Sequence, residues 1–413
     1  MTHATSPIDK RSYEPAYAGR VAQMKASEIR ELLKLLERPG IISFAGGIPD
    51  PTLFPMAEAQ TAYAEVLADP KLGPQSLQYS VSEGYLPLRQ WIVAHMATRG
   101  VTCTPDNLVI TSGSQQGLEF LGRLLLSPND TALVEAPTYL GALQAFSAYE
   151  PRYDDLRPEH GNRTPEAYAA SAKAAGGAVK FAYVVPDFAN PTGLTLSLAA
   201  RHNVLSLARD LDVPVLEDTA YAALRFEGAA MPSLQALDVQ HTGSIDASRV
   251  IYCGTFSKTI TPGLRIGWLC ASRAIIRRVV LVKQASDLNS ALINQVVMCR
   301  LAEQVYDRQV ASAIARYRGR RDAMLRALEA YMPTGVTWTR PDGGLFIWVT
   351  LPEGTDTAAL LKRAITEANV AFVPGSAFFA GPQGRNCMRL SYSLPDEAAI
   401  TTGVQRLAAL LGE

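Results

Sequence analysis

Histidine is scarce in this chain of 413 residues: His3, His95, His160, His202 and His241 are all there is. None sits in a small-residue turn after an apolar run, so a histidine-based triad or metal site has little support. Cysteine is equally sparse. Cys103, Cys253, Cys270, Cys299 and Cys387 are odd in number and lack CxxC spacing, which fits buried thiols in a reducing compartment and argues against a disulfide framework or zinc. Net charge is missing too: 39 lysines and arginines balance 39 aspartates and glutamates, so no global field points to nucleic acid or an anionic membrane. No uncharged apolar run approaches membrane-spanning length, because Arg277, Arg278 and Lys283 interrupt the most apolar region. The opening Met1-Thr2-His3-Ala4-Thr5-Ser6-Pro7 lacks a basic start followed by an apolar stretch, so no signal peptide is expected and the protein is expected in the cytoplasm.

What is present is an ordinary globular composition, 48% hydrophobic and 19% charged, at a length that suggests two domains sharing a cleft. Residues 1 to about 20 are polar and read as an arm. Ile29, Leu32, Leu33 and Leu36 then form a helical stripe, with Arg30 at its side, stopped by Pro39-Gly40. Short apolar, mostly β-branched runs follow, at 108–111, 131–135, 181–185, 213–217 and 250–253, separated by helix-like stretches or longer connections. That alternation predicts an α/β fold with a largely parallel sheet covered on both faces. A long helical pattern from about Ile293 to Tyr331 leads to a smaller α+β unit, with strands at 346–349, 370–373 and 387–392 and helices at 358–368 and 395–411. The basic run Arg316-Tyr317-Arg318-Gly319-Arg320-Arg321 reads as the solvated face of a helix.

The most informative stretch is residues 254–268. An apolar run, Val250-Ile251-Tyr252-Cys253, ends in a turn that presents Lys258 with the hydroxyls of Thr255 and Ser257, and the chain re-enters a strand-like segment past Arg265. Desolvating an ammonium between buried strands is costly unless it is paired or loses its proton. A lysine so placed is a candidate amine nucleophile, and the amine that forms a Schiff base with pyridoxal phosphate needs this environment beside a phosphate anchor. Thr255, Ser257 and Arg265 supply one. The bland alternative is a surface turn with a solvated lysine and arginine.

Other candidates also follow strand ends, where open parallel sheets bind ligands. Thr111-Ser112-Gly113-Ser114-Gln115-Gln116-Gly117 opens a helix whose free N–H groups suit an anion, although serine also simply caps helices. Tyr139, after Ala136-Pro137-Thr138, can stack on a planar group or belong to the core. Asn190-Pro191-Thr192-Gly193 fixes an amide that either donates to a phenolate oxygen or closes the turn. In Glu217-Asp218-Thr219-Ala220-Tyr221 a carboxylate at a buried strand end needs a cation, and a protonated pyridine nitrogen is one. Gly46 and Gly47, in Ala45-Gly46-Gly47-Ile48-Pro49, let the backbone approach something closely.

These motifs, in this order, resemble the fold-type-I aminotransferases of class I/II over nearly the whole chain, and most of all the kynurenine/2-aminoadipate subgroup. Residues 43–49, 77–80, 111–117, 190–193, 254–267 and 389–392 carry the likeness. The resemblance implies a mostly parallel, seven-stranded, pyridoxal-phosphate-binding large domain at 51–300. It implies a small α+β domain at 301–413, with which residues 1–50, an arm and helix, pack. It makes Lys258 the Schiff-base lysine and Asp218 the partner of the pyridine nitrogen. Asn190 and Tyr221 contact the 3-hydroxyl oxygen and Tyr139 stacks on the ring. Ser114, Gln115, Thr255, Ser257 and Arg265 surround the phosphate, with Tyr79 reaching in from a second subunit of a homodimer. Arg389 clamps the substrate α-carboxylate, Gly47 and Asn190 line the substrate site, and Arg30 matches a helix that recognises a distal carboxylate. Thr255 stands where many relatives have serine, and Asn289 where close relatives often have histidine.

The implied activity is amino transfer from an L-amino acid (2-aminoadipate, aromatic or aliphatic) to a 2-oxo acid such as 2-oxoglutarate. Racemisation, elimination or decarboxylation with the same cofactor is the alternative. A ligand-sensing, aminotransferase-like regulator is a remote third, because the polar residues before Ile41 leave no room for a helix-turn-helix domain.

Overall fold

Short runs of Val, Ile, Leu and Thr become strands buried on both faces, which is why they read as continuous apolar segments. The computed structural model describes residues 16–23 and 40–412. The helix expected around Arg30 lies outside the described residues.

The described strands, in chain order, are β1 (Ile42–Ser43), β2 (Leu108–Thr111), β3 (Thr131–Val134), β4 (Arg152–Asp155), β5 (Val179–Val184), β6 (Val215–Asp218), β7 (Val250–Thr255), β8 (Gly267–Cys270), β9 (Thr337–Trp338), β10 (Phe346–Thr350), β11 (Val370–Ala371), β12 (Val373–Pro374) and β13 (Cys387–Ser391). Seven form the large sheet in the order β2-β8-β7-β6-β5-β3-β4. Strand β8 runs antiparallel to β2 and β7, and the remaining pairs are parallel. The connection from Thr255 to Gly267 carries no crossover helix, so the chain can only turn back on itself there. As a result β2, β3, β5, β6 and β7 all end at one edge of the sheet, and β8 begins there, with Gly267 opposite both Thr111 and Thr255. The turns that follow these strands therefore converge.

Side chains alternate across the sheet. Val109, Ala132, Val134 and Leu216 join one apolar core, whereas Leu108, Ile110, Leu133 and Val215 pack on the opposite face. The 40-residue helix Leu292–Tyr331 spans the protein. Its first half packs with helices Met56–Ala68 and Leu86–Thr98, and its second half joins the core of the small domain and helix Glu397–Leu411. The expected division at residue 300 falls inside this helix. The small domain holds an antiparallel sheet, β12-β13-β10-β9, and a parallel pair, β1-β11, which ties the segment around Ile42 to it.

Three details differ from expectation. The run 370–373 is not one strand: β11 pairs with β1 and β12 with β13, so Phe372 marks a change of partner. Strand β4 (Arg-Tyr-Asp-Asp) gives no apolar signal because it is a half-exposed edge strand. The basic run is not a solvated face. Arg320 and Arg321 are buried; Arg316 and Arg320 pair with Asp50 at 3.1 and 2.7 Å, and Arg321 with Glu227 and Asp322. Among the described residues no helix is long and apolar enough to cross a membrane.

Candidate active site

Lys258 projects from the β7–β8 turn into the converging strand ends, where its Nζ donates to the Gly47 carbonyl at 2.9 Å. The ammonium also lies 6.0 Å from the centre of the Tyr221 ring. Burial, reinforced by the Arg389 and Arg265 guanidiniums and opposed by Asp218, lowers its pKa from 10.5 to about 8. The close backbone approach expected at Gly47 is real: a Cβ there would stand 2.5 Å from Phe346 Cζ.

Asp218 ends β6, in register with Cys253 of β7. Its Oδ2 accepts from the Tyr183 hydroxyl at 3.0 Å. Its Oδ1 is buried and has no hydrogen-bond partner among the described residues. Burial raises the carboxyl from 3.8 to about 6, against the Tyr183 hydroxyl, the Ala220 amide and Lys258. A buried carboxylate with one oxygen satisfied and the other without a hydrogen-bond donor among the described residues is suited to a cationic N–H group.

Helix Ser114–Leu125 starts at the same edge, after Gly113 at φ 79°. A Cβ on Gly113 would meet Arg265 Nη2 at 2.5 Å, and one on Gly267 would meet Ser114 N at 2.6 Å. Without side chains at these points, the helix N-terminus, the Arg265 guanidinium and the paired hydroxyls of Thr255 and Ser257, 2.9 Å apart, share one concave cup. Tyr139 flanks it, with its hydroxyl 3.3 Å from Gln115 Oε1, while Gln115 Nε2 is bonded to Gly141 O at 2.6 Å.

Across the cleft, Arg389 reaches in from β13. Its Nη1 donates to Asn190 Oδ1 at 2.8 Å and its Nη2 to Ala45 O at 2.6 Å. Asn190 Nδ2 in turn donates to the Tyr221 hydroxyl at 3.4 Å. The guanidinium is held between Phe346 and Phe378, 4.3 and 5.0 Å from their ring centres, and burial lowers its pKa from 12.5 to about 10. Its Nε is buried without a partner among the described residues.

The cavity, about 230 Å³, is lined by every candidate proposed from sequence except two. Tyr79 is 79% exposed and does not line its own chain's cleft. Arg30 lies outside the described residues. Sequence reasoning missed Tyr183, Phe346 and Phe378; Phe346 in particular sits in an ordinary strand pattern with nothing local to mark it. Among the described residues no cluster of His, Cys, Asp or Glu could hold a metal.

These features fit a phosphorylated pyridine: a protonated ring nitrogen answers the bare Asp218 Oδ1, and a dianion answers the cup. Residues 50–407 match the family described as aminotransferase class I and II. The chain belongs to that family. Aromatic-amino-acid aminotransferase 1 of Thermococcus litoralis is 41% identical to this aminotransferase, over 97% of this chain and 95% of the relative. The 2-aminoadipate transaminase of Thermus thermophilus is 40% identical over 97% of both chains. The structure of alpha-aminoadipate aminotransferase from Thermus thermophilus, complexed with N-(5'-phosphopyridoxyl)-L-leucine, superposes with a TM-score of 0.86 at 38% identity, covering 97% of this chain and 98% of that one. This aminotransferase thus has the fold-type-I architecture and uses pyridoxal 5'-phosphate.

Proposed function

We propose that this aminotransferase moves the amino group of 2-aminoadipate, aromatic or aliphatic L-amino acids to a 2-oxo acid, 2-oxoglutarate first among them. The relatives named for aromatic amino acids and for 2-aminoadipate, at 41% and 40% identity, support that range. The observation that carries the reading is Arg389, a buried guanidinium whose Nε has no partner among the described residues, facing the same cavity as the Lys258 amine. Such a group is a receptor for a carboxylate, and its fork lets two oxygens bind side by side.

When bound, pyridoxal 5'-phosphate supplies the electron sink that acidifies the substrate Cα–H. Asp218 would keep the proton on its ring nitrogen. Arg389 and Asn190 would hold the substrate α-carboxylate in the cavity that the Lys258 amine shares. The Lys258 amine, with its lowered pKa, would take that proton from Cα at Nζ and give it back at the cofactor carbon, so that Nζ ends in the protonation state in which it began. Ser114, Thr255, Ser257 and Arg265 would hold the phosphate with Gln115 framing it, Tyr139 would cover the ring, and Tyr221 with Asn190 would set the electron demand at the 3-oxygen.

The working unit is a homodimer in the cytoplasm. Leu77, Tyr79 and Val81 are exposed side chains close together in sequence that a second copy would cover, placing Tyr79 at the partner's phosphate. A panel of amino donors incubated with 2-oxoglutarate and scored for glutamate tests the proposal; no glutamate from any donor would refute it.

A further inference from the structure

Lys283 is 0% exposed, yet it carries an ammonium on helix Arg273–Gln284, outside the cleft. All three ammonium protons are used: two on Asp287, at 3.0 and 2.9 Å to its two oxygens, and one on Ser290 Oγ at 2.9 Å. The Lys283 carbonyl meanwhile accepts the amides of Ser286, Asp287 and Leu288 at 3.0, 3.0 and 3.1 Å, which curls the chain tightly around the cation. A buried ion pair contributes little net stability, so its value lies in what it holds in place.

What it holds can be followed bond by bond. Asp287 Oδ2 accepts from Gln116 Nε2 at 2.8 Å, and Gln116 Oε1 accepts from the Ser112 amide at 2.7 Å. The Ser112 carbonyl accepts from Arg265 Nη2 at 3.2 Å. Ser290 reaches the same turn, with its hydroxyl 3.4 Å from Ser112 Oγ. Each link has one donor and one acceptor, and Gly113 is held too, its amide donating to Thr111 O at 2.9 Å and its carbonyl accepting from the Thr111 hydroxyl at 2.9 Å, so the peptide units flanking Ser112 have one orientation.

We propose that Lys283, Asp287 and Gln116 are positioning residues that lock the Ser112–Gly113 turn and the Arg265 guanidinium, and so set how tightly the cofactor's phosphate is retained. This rests on Arg265 and the residue 114 helix terminus being the phosphate site.

The test uses the full chain, resolved of cofactor and titrated with pyridoxal 5'-phosphate and, separately, with pyridoxal, following protein fluorescence. Gln116→Met keeps the side-chain length and removes both bonds. Its Kd for pyridoxal 5'-phosphate is expected to rise about tenfold, the loss of one charge-linked hydrogen bond. Its Kd for pyridoxal, and KM for the amino donor at saturating cofactor, are expected to stay unchanged. Equal rises for both ligands, or a lower melting temperature with neither Kd altered, would overturn the relay. If Gln116→Met does not fold, Asp287→Asn is judged by the same ratio. Arg265→Leu separates the two levels: if it loses phosphate-dependent affinity and the relay variants do not, only the relay fails; if it loses none, the phosphate site and the relay fail together.

Discussion

Asp218 is expected to make the cofactor-free protein less stable, and Asp218→Asn to reveal by how much. The carboxyl has an ordinary pKa of 3.8, and burial raises it to about 6 in the folded chain. Between those values the folded state still holds a proton that the unfolded state has released, so stability falls as pH rises through the interval. At about 1.4 kcal/mol per pH unit, the ionised carboxylate costs the folded state about 3 kcal/mol at neutral pH and next to nothing near pH 4. Asparagine has the same shape, can still accept from the Tyr183 hydroxyl, and carries no charge to desolvate. Urea unfolding of both cofactor-free proteins from about pH 4 to 8 is therefore expected to show Asp218→Asn more stable by about 3 kcal/mol at the alkaline end, with the two curves meeting at the acid end. With pyridoxal 5'-phosphate present the order should invert, because a protonated ring nitrogen satisfies Oδ1 of aspartate and not the amide, and turnover of the variant should collapse. A stability difference that stayed constant with pH would refute the assignment of the cost to this carboxylate.

Three further outcomes are expected. Arg389→Leu removes the proposed carboxylate receptor but keeps an apolar side chain between Phe346 and Phe378; steady-state kinetics should show kcat/KM lower by about a hundredfold or more, equivalent to roughly 3 kcal/mol, with little change in melting temperature. Lys258 of the cofactor-free protein should react with an amine-selective reagent with a midpoint near pH 8, since its neutral form grows as pH rises through the lowered pKa; mass-spectrometric labelling with a midpoint above 10 would contradict its burial among guanidiniums. Arg30→Ala should raise KM for dicarboxylic amino donors and spare apolar ones, and equal losses for both would remove Arg30 from substrate recognition.

The residues that line the candidate cleft were more legible in the sequence than their surroundings, for a physical reason. Lys258, Asp218, Asn190 and Ser114 each follow a short apolar run, and a parallel sheet brings the ends of such runs to one edge, so order along the chain translates into position in space. The residues that tune them come from elements whose local pattern says only "buried". Tyr183, which holds one oxygen of Asp218, is an ordinary inward residue of β5, and Phe346 and Phe378, which enclose Arg389, belong to separate segments of the small domain. Strand β4 was hidden because a half-exposed edge strand leaves no apolar run to read, and the change of partner at Phe372 because residues 370–374 are buried throughout and so read as one run.

Lys283 and Asp287 show where the boundary of legibility lies. A basic and an acidic residue four apart is the pattern of a solvated surface pair, and Arg363 with Glu367 is one, both side chains close to half exposed. Lys283 and Asp287 have the same spacing, but the lysine is wholly buried. The difference was encoded one level up, in the helix and not in the pair: Ile276, Val279, Val280 and Lys283 follow the three-and-four spacing of a single face, and all four are buried. A lysine that completes an apolar stripe must find its counter-charge inside, and the nearest carboxylate along the chain is the one that also grips Gln116 beneath the proposed phosphate cup.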